Sequence, residues 1–99
     1  MKIFLTARAR RRAVVVATWW RANRPRVPEL FEQELEQAKR NLASQPDMGR
    51  PYKTVAGDMV RRVLLPKTEQ YVYYSVDEGT ETVIIHTLWG ARRGRAPTL

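Results

Sequence analysis

The chain has no cysteine. That excludes disulfide staples and thiolate metal sites, and it fits a reducing compartment. A single histidine, His86, rules out a histidine cluster with metal-ligand spacing. There is no glycine-rich phosphate loop, no internal repeat and no low-complexity segment. No apolar run reaches the ~20 residues of a membrane-spanning helix. Lys2 and the arginines before Val14-Val15-Val16 imitate the start of a signal peptide, but the apolar part is too short and lacks a small-residue cleavage site. The expectation is a cytoplasmic protein with no membrane partner, no metal and no cofactor.

What is abundant is positive charge. The 99 residues, expected to form one domain over 1–99, carry a net charge of +8. Residues 1–28 hold eight Lys/Arg and no acid, whereas residues 68–91 hold four acids and no Lys or Arg. Three arginines then fall within residues 92–95. Basic blocks from separate parts of the chain can converge on folding, and such a surface attracts polyanions or an acidic protein.

The stretch Val60 to Arg95 organises the rest. Val60–Leu65 is β-branched and aliphatic, with Arg61 and Arg62 inserted. In Gln70–Val76, Tyr71, Tyr73 and Ser75 point one way, and Val72, Tyr74 and Val76 the other. In Thr82–Trp89, Val83, Ile85, Thr87 and Trp89 alternate with Ile84, His86 and Leu88. Pro66-Lys67-Thr68-Glu69 and Asp77-Glu78-Gly79-Thr80 supply the turns. Short gaps between period-2 runs predict an antiparallel meander of three strands.

Upstream, Lys2–Thr6 fits a short strand, with Thr6 as N-cap of a helix over 8–23. Ala9, Ala13, Val16 and Trp20 form its apolar stripe, widened by Val15 and Trp19, so both tryptophans are assigned to the core. Arg10, Ala17, Arg21 and Arg24 fall opposite, with Val14 exposed among them. Pro25 and Pro28 separate this helix from a second, running to about Ala43, with the stripe Phe31, Leu35, Ala38 and Leu42. So short a link makes the pair an antiparallel hairpin. Ser44–Gly57 reads as a loop. The fold class is α+β: strand, helix, helix, then a three-stranded antiparallel meander with the hairpin on one sheet face.

Chemistry-bearing residues are few. Arg61, Arg62, Lys67, Arg92, Arg93 and Arg95 cluster at the ends of the sheet, with Tyr71, Tyr73 and Tyr74 nearby. Guanidinium groups hold phosphates or carboxylates bidentately, and tyrosines stack on bases. His86 alone on a strand reads as a packed side chain.

The order of elements resembles the RelE/ParE superfamily, the toxin halves of type II toxin–antitoxin pairs. Local patterns agree: Pro46-Asp47-Met48-Gly49-Arg50-Pro51, Val60-Arg61-Arg62-Val63-Leu64-Leu65, Tyr71-Val72-Tyr73-Tyr74-Ser75-Val76-Asp77, and Leu88-Trp89-Gly90-Ala91-Arg92-Arg93-Gly94. The resemblance implies one of two mechanisms. RelE-type toxins cut messenger RNA on the ribosome with a basic cluster and a C-terminal tyrosine or histidine. ParE-type toxins poison DNA gyrase without cutting RNA. Arg62 and Arg93 match two basic positions of the nuclease pattern. Leu64 and Val72 stand where further cations are wanted, and the tail Ala96-Pro97-Thr98-Leu99 has no candidate base. His86 could serve only if its strand faces the arginines, so a nuclease would use Arg62, His86 and Arg93.

The ParE-like branch is therefore favoured: a growth inhibitor of the plasmid-stabilisation kind, with no catalytic residues. Arg61, Arg62, Arg92, Arg93 and Arg95 are then expected to bind the target. The resemblance further implies a cognate antitoxin, in a toxin–antitoxin hetero-oligomer, contacting Val14, Trp19 and Arg21. A non-toxic basic nucleic-acid-binding module is the remaining alternative.

Overall fold

The computed structural model describes residues 1–99. Its elements in chain order are β1 (Lys2–Leu5), α1 (Ala7–Asn23), α2 (Leu30–Ser44), β2 (Arg50–Val55), β3 (Asp58–Leu65), β4 (Gln70–Asp77) and β5 (Thr82–Gly90). The strands form one sheet in the order β1-β5-β4-β3-β2. β1 runs parallel to β5, and the other neighbours are antiparallel. The two helices cover one sheet face. Phe31, Leu35, Ala38 and Leu42 of α2, with Ala9, Val16 and Ala17 of α1, pack against Leu65, Val72, Tyr74, Val83, Ile85 and Leu88 of the sheet.

Local chemistry explains the boundaries. The Thr6 side chain accepts from Ala9 N at 3.1 Å, capping α1, and donates to the His86 carbonyl at 2.9 Å. One residue thus starts the helix and ties it to β5. On α2, Glu34 reaches the turn between β3 and β4. Its Oε2 accepts from Lys67 N at 2.8 Å, and its Oε1 accepts from Thr68 N at 3.0 Å and Thr68 Oγ1 at 2.6 Å. Hydrogen bonds to a charged acceptor contribute more than neutral ones. Glu34→Ala is therefore expected to lower stability by about 2 kcal/mol, read as a shift in the denaturant midpoint, with Glu34→Gln recovering part of the loss.

Three readings from the sequence are corrected. First, Ser44–Gly57 is not all loop: it contains β2, so the antiparallel meander has four strands. Pro51 hides that strand, but β2 lies at the sheet edge, where a missing N–H is tolerated. Ala56 and Gly57, with φ of 51° and 86°, make the tight turn into β3. Second, a bulge interrupts β5. Tyr73 pairs with Thr87 but Tyr74 with Ile85, which leaves His86 as the extra residue. Past it the alternation flips, so Leu88 joins Val83 and Ile85 in the core.

Third, Trp19 is 46% exposed and Ala17, expected outside, is buried, whereas Trp20 is half-buried and packs against the core as expected. The side of α1 that meets β5 is centred on small residues, which let the helix approach the sheet closely and leave the larger rings at its margin. After β5 the chain folds back. Trp89 Nε1 donates to the Arg95 carbonyl at 2.8 Å, Arg8 donates to the Thr98 carbonyl, and Pro97 between them is buried.

Candidate functional site on the open sheet face

Adjacent residues of a strand face opposite sides, and this separates Arg61 from Arg62. Arg61 turns toward the segment before β2, donating through Nη1 to the Gly49 carbonyl at 2.9 Å and, more weakly, to that of Asp47 at 3.4 Å. Arg62 lies on the face away from the helices. Its guanidinium carbon sits 4.2 Å from the Tyr71 ring centre and 4.9 Å from that of Tyr52. Its Nη1 donates to the Tyr73 hydroxyl at 3.3 Å. Tyr52 and Tyr73 meet edge to face at 5.1 Å. The Tyr73 hydrogen bond raises the guanidinium pKa further, against partial burial. The cation is thus held in one orientation by three rings, a pre-organised site for an anionic or aromatic partner.

Trp89 stands opposite Tyr71 on the neighbouring strand. Arg93 stacks on it at 4.2 Å and Arg95 reaches it at 6.0 Å. Arg62 on Tyr52 and Tyr71, and Arg93 and Arg95 on Trp89 of the next strand, thus form a stripe of cations held on aromatic rings. Arg92 points elsewhere: its Nε meets Glu69 at 2.8 Å, with the side chain 84% exposed. Of the five arginines expected to bind a target, Arg62, Arg93 and Arg95 are held on rings of this stripe; Arg61 and Arg92 are engaged outside it.

His86 sits apart from it. Its Nε2 is 2.7 Å from Ser75 Oγ, in a concavity lined by Thr6, Arg8, Asp58, Val60 and Leu99. Arg62 leans toward Tyr71, the direction along β4 away from Ser75. Arg93 is stacked on Trp89. Arg62, His86 and Arg93 do not share a pocket. Burial lowers the imidazole pKa from 6.5, against the opposing pull of Asp58. The unfolded chain takes up that proton near 6.5 and the folded one only at lower pH, so the unfolded state binds more protons in that window. Stability contributed by neutral His86 is present above this value and is lost as pH falls through the folded one. Denaturant midpoints at pH 7.5 and 5.5 should therefore fall further for the native chain than for His86→Ala.

Along α1, Val14 is 65% and Val15 56% exposed. Arg21 forms an ion pair with Glu32 of α2 at 2.5 Å. Val14 and Arg21, seven residues apart, share one side of the helix, whereas Trp19 shares another with Val15. The three expected antitoxin contacts thus lie on two sides.

Two residues escaped the sequence reading. Tyr52 was hidden by Pro51, although Tyr52 and Thr54 alternate with Lys53 and Val55. Arg12 lies on the apolar stripe of α1, three residues after Ala9 and four before Val16, and that spacing was the available signal for a partly buried arginine.

The architecture is similar to a solved chain in the toxin–antitoxin complex RelBE2 from Mycobacterium tuberculosis, at 22% identity and a TM-score of 0.57, covering 90% of this chain and 95% of that one. Two helices packed on a five-stranded, mostly antiparallel sheet make this an α+β protein with the RelE/ParE-like toxin fold. The chain belongs to the family described as the ParE toxin of the type II toxin–antitoxin system, parDE, whose family model matches residues 3–94. No curated protein matches it.

Proposed function

We propose that this ParE-family toxin stops growth by binding DNA gyrase in the cytoplasm, without cutting RNA, and that a cognate antitoxin neutralises it. The observation that carries this reading is the position of His86. RNA cleavage needs a base at the 2′-hydroxyl and cations at the same phosphate. Here the only imidazole is bonded to Ser75, while Arg62 and Arg93 are stacked on rings outside its concavity. A binding stripe needs no proton transfer: fixed cations and aromatic faces grip an acidic or nucleic-acid-bearing surface as they stand. The antitoxin is supported by the net charge of +8, which attracts an acidic partner, and by the apolar side chains Val14, Val15 and Trp19 left exposed on α1.

The second reading, ribosome-dependent messenger RNA cleavage, is favoured by one observation: burial keeps His86 neutral, the form a general base requires. Induced expression separates the two. The gyrase reading expects DNA-damage signalling and altered plasmid supercoiling with intact transcripts, and toxicity retained in His86→Ala. Cut transcripts, with toxicity lost in a correctly folded His86→Ala, would establish the nuclease instead.

A further inference from the structure

A groove of about 520 Å³ opens between α1, the turn joining β3 to β4, and the end of β5. Five cations line it, Arg12, Arg24, Lys67, Arg92 and Arg93, against one carboxylate, Glu69. Glu69 is already taken by Arg92. None of the other four cations is paired with a carboxylate. Two buried polar atoms in this lining have no partner: Arg12 Nε, a donor, and Gln70 Oε1, an acceptor. Native proteins leave few such atoms, and each calls for a reason. Burial lowers the Arg12 pKa, and the positive charges of Arg93 and Arg8 lower it further. Like charges gathered without a counter-ion favour an anion. The remaining wall is apolar and aromatic, made by Val15, Trp19 and Trp20.

These features set three requirements. The ligand carries more than one negative charge, since a single carboxylate leaves most of the cations unbalanced. It has a flat apolar body to lie on the indoles. It presents an N–H to Gln70 Oε1 while accepting from Arg12. A nucleotide meets all three: Arg binds phosphate, bases stack on Trp, and an exocyclic amine donates to a glutamine carbonyl as it does in base recognition. We propose that this groove is a nucleotide site, taking the phosphate at Arg12 and Arg93 and the base against Trp19. The ligand is either a free nucleotide or one residue of an unpaired strand. The site lies apart from the Tyr52–Arg62–Tyr71 cradle, but it shares Arg93 with the stripe and Trp19 with the side of α1 left open to the antitoxin; its ligand is independent of the machine the toxin stops.

The test titrates the full chain, following tryptophan fluorescence, with ATP, tripolyphosphate and a six-residue deoxyadenosine strand. ATP is expected to bind about tenfold tighter than tripolyphosphate, the share a stacked base supplies. Arg12→Ala is expected to weaken ATP by about tenfold, while Lys53→Ala on the far sheet edge leaves it unchanged. Trp19→Ala, at an exposed position that tolerates truncation, should erase the preference of ATP over tripolyphosphate, read by calorimetry. Binding of ATP but not of the strand identifies a free-nucleotide site, and binding of both, with the strand tighter, identifies a strand site. ATP binding no better than tripolyphosphate, or equally in Arg12→Ala, overturns the proposal. So does binding of polyglutamate in preference to all three, which would assign the groove to an acidic protein segment.

Discussion

Gly49→Ala is expected to destabilise the toxin by about 3 kcal/mol, the combined scale of overpacking a core and losing a buried hydrogen bond. A Cβ at this position would lie 2.6 Å from Tyr74 Oη, 2.7 Å from Tyr74 Cε1 and 3.0 Å from the Arg62 carbonyl. None of these can give way. Tyr74 is fully buried, and its hydroxyl accepts from Gly49 N at 2.8 Å. Burial raises its pKa above 10.0, so the phenol stays neutral. Glycine is required here by close approach rather than by an unusual backbone angle. The two side chains should be coupled. Tyr74→Phe alone leaves the Gly49 N–H without a partner and costs about 1–2 kcal/mol. In that background Gly49→Ala should cost less than in the native chain, since Oη is gone. Urea titrations of the four proteins measure this, and an unchanged midpoint in Gly49→Ala would refute the packing argument. Loosening this contact also frees the start of β2, which carries Tyr52 to Arg62.

Arg62→Ala is expected to weaken target engagement by about thirtyfold or more, the scale of a binding hot spot, with stability changed by less than about 1 kcal/mol. Its guanidinium is the one cation of the sheet interior held by three rings, Tyr52, Tyr71 and Tyr73. Induced cells should then grow normally while the toxin accumulates in folded form. Arg62→Lys should not rescue, because an ammonium cannot stack between two tyrosines as a planar guanidinium does. Arg61→Ala should behave differently, losing stability through the segment before β2 rather than losing contact with the target. Toxicity retained in Arg62→Ala and lost in a stable Arg61→Ala would reverse this assignment.

The difference between these neighbours shows where sequence reasoning ends. Strand periodicity places Arg61 and Arg62 on opposite faces, but only tertiary contact reveals that Gly49 captures one and Tyr52 the other. Helical spacing found Phe31, Leu35, Ala38 and Leu42 because each turn of α2 meets one sheet face. The same rule misjudged Trp19 and Ala17, since the closeness of α1 to β5 decides which flank of the stripe is covered. Regular alternation could not foresee the extra residue at His86, which sends Leu88 inward. The Thr6 cap and the antiparallel pairing of β3, β4 and β5 were legible because they depend on residues close in the chain. The groove between Arg12 and Arg93 was not, because its walls come from opposite ends of the sequence.

The outer strand β2 has one more consequence. Pro51 offers no N–H to a neighbour, the pairing slips between Pro51 and Lys53, and Arg50 and Lys53 add charge along the rim. Two copies meeting there would find few backbone groups to zip together and strong repulsion between them. This edge is thereby a poor template for pairing strand to strand between copies of the toxin.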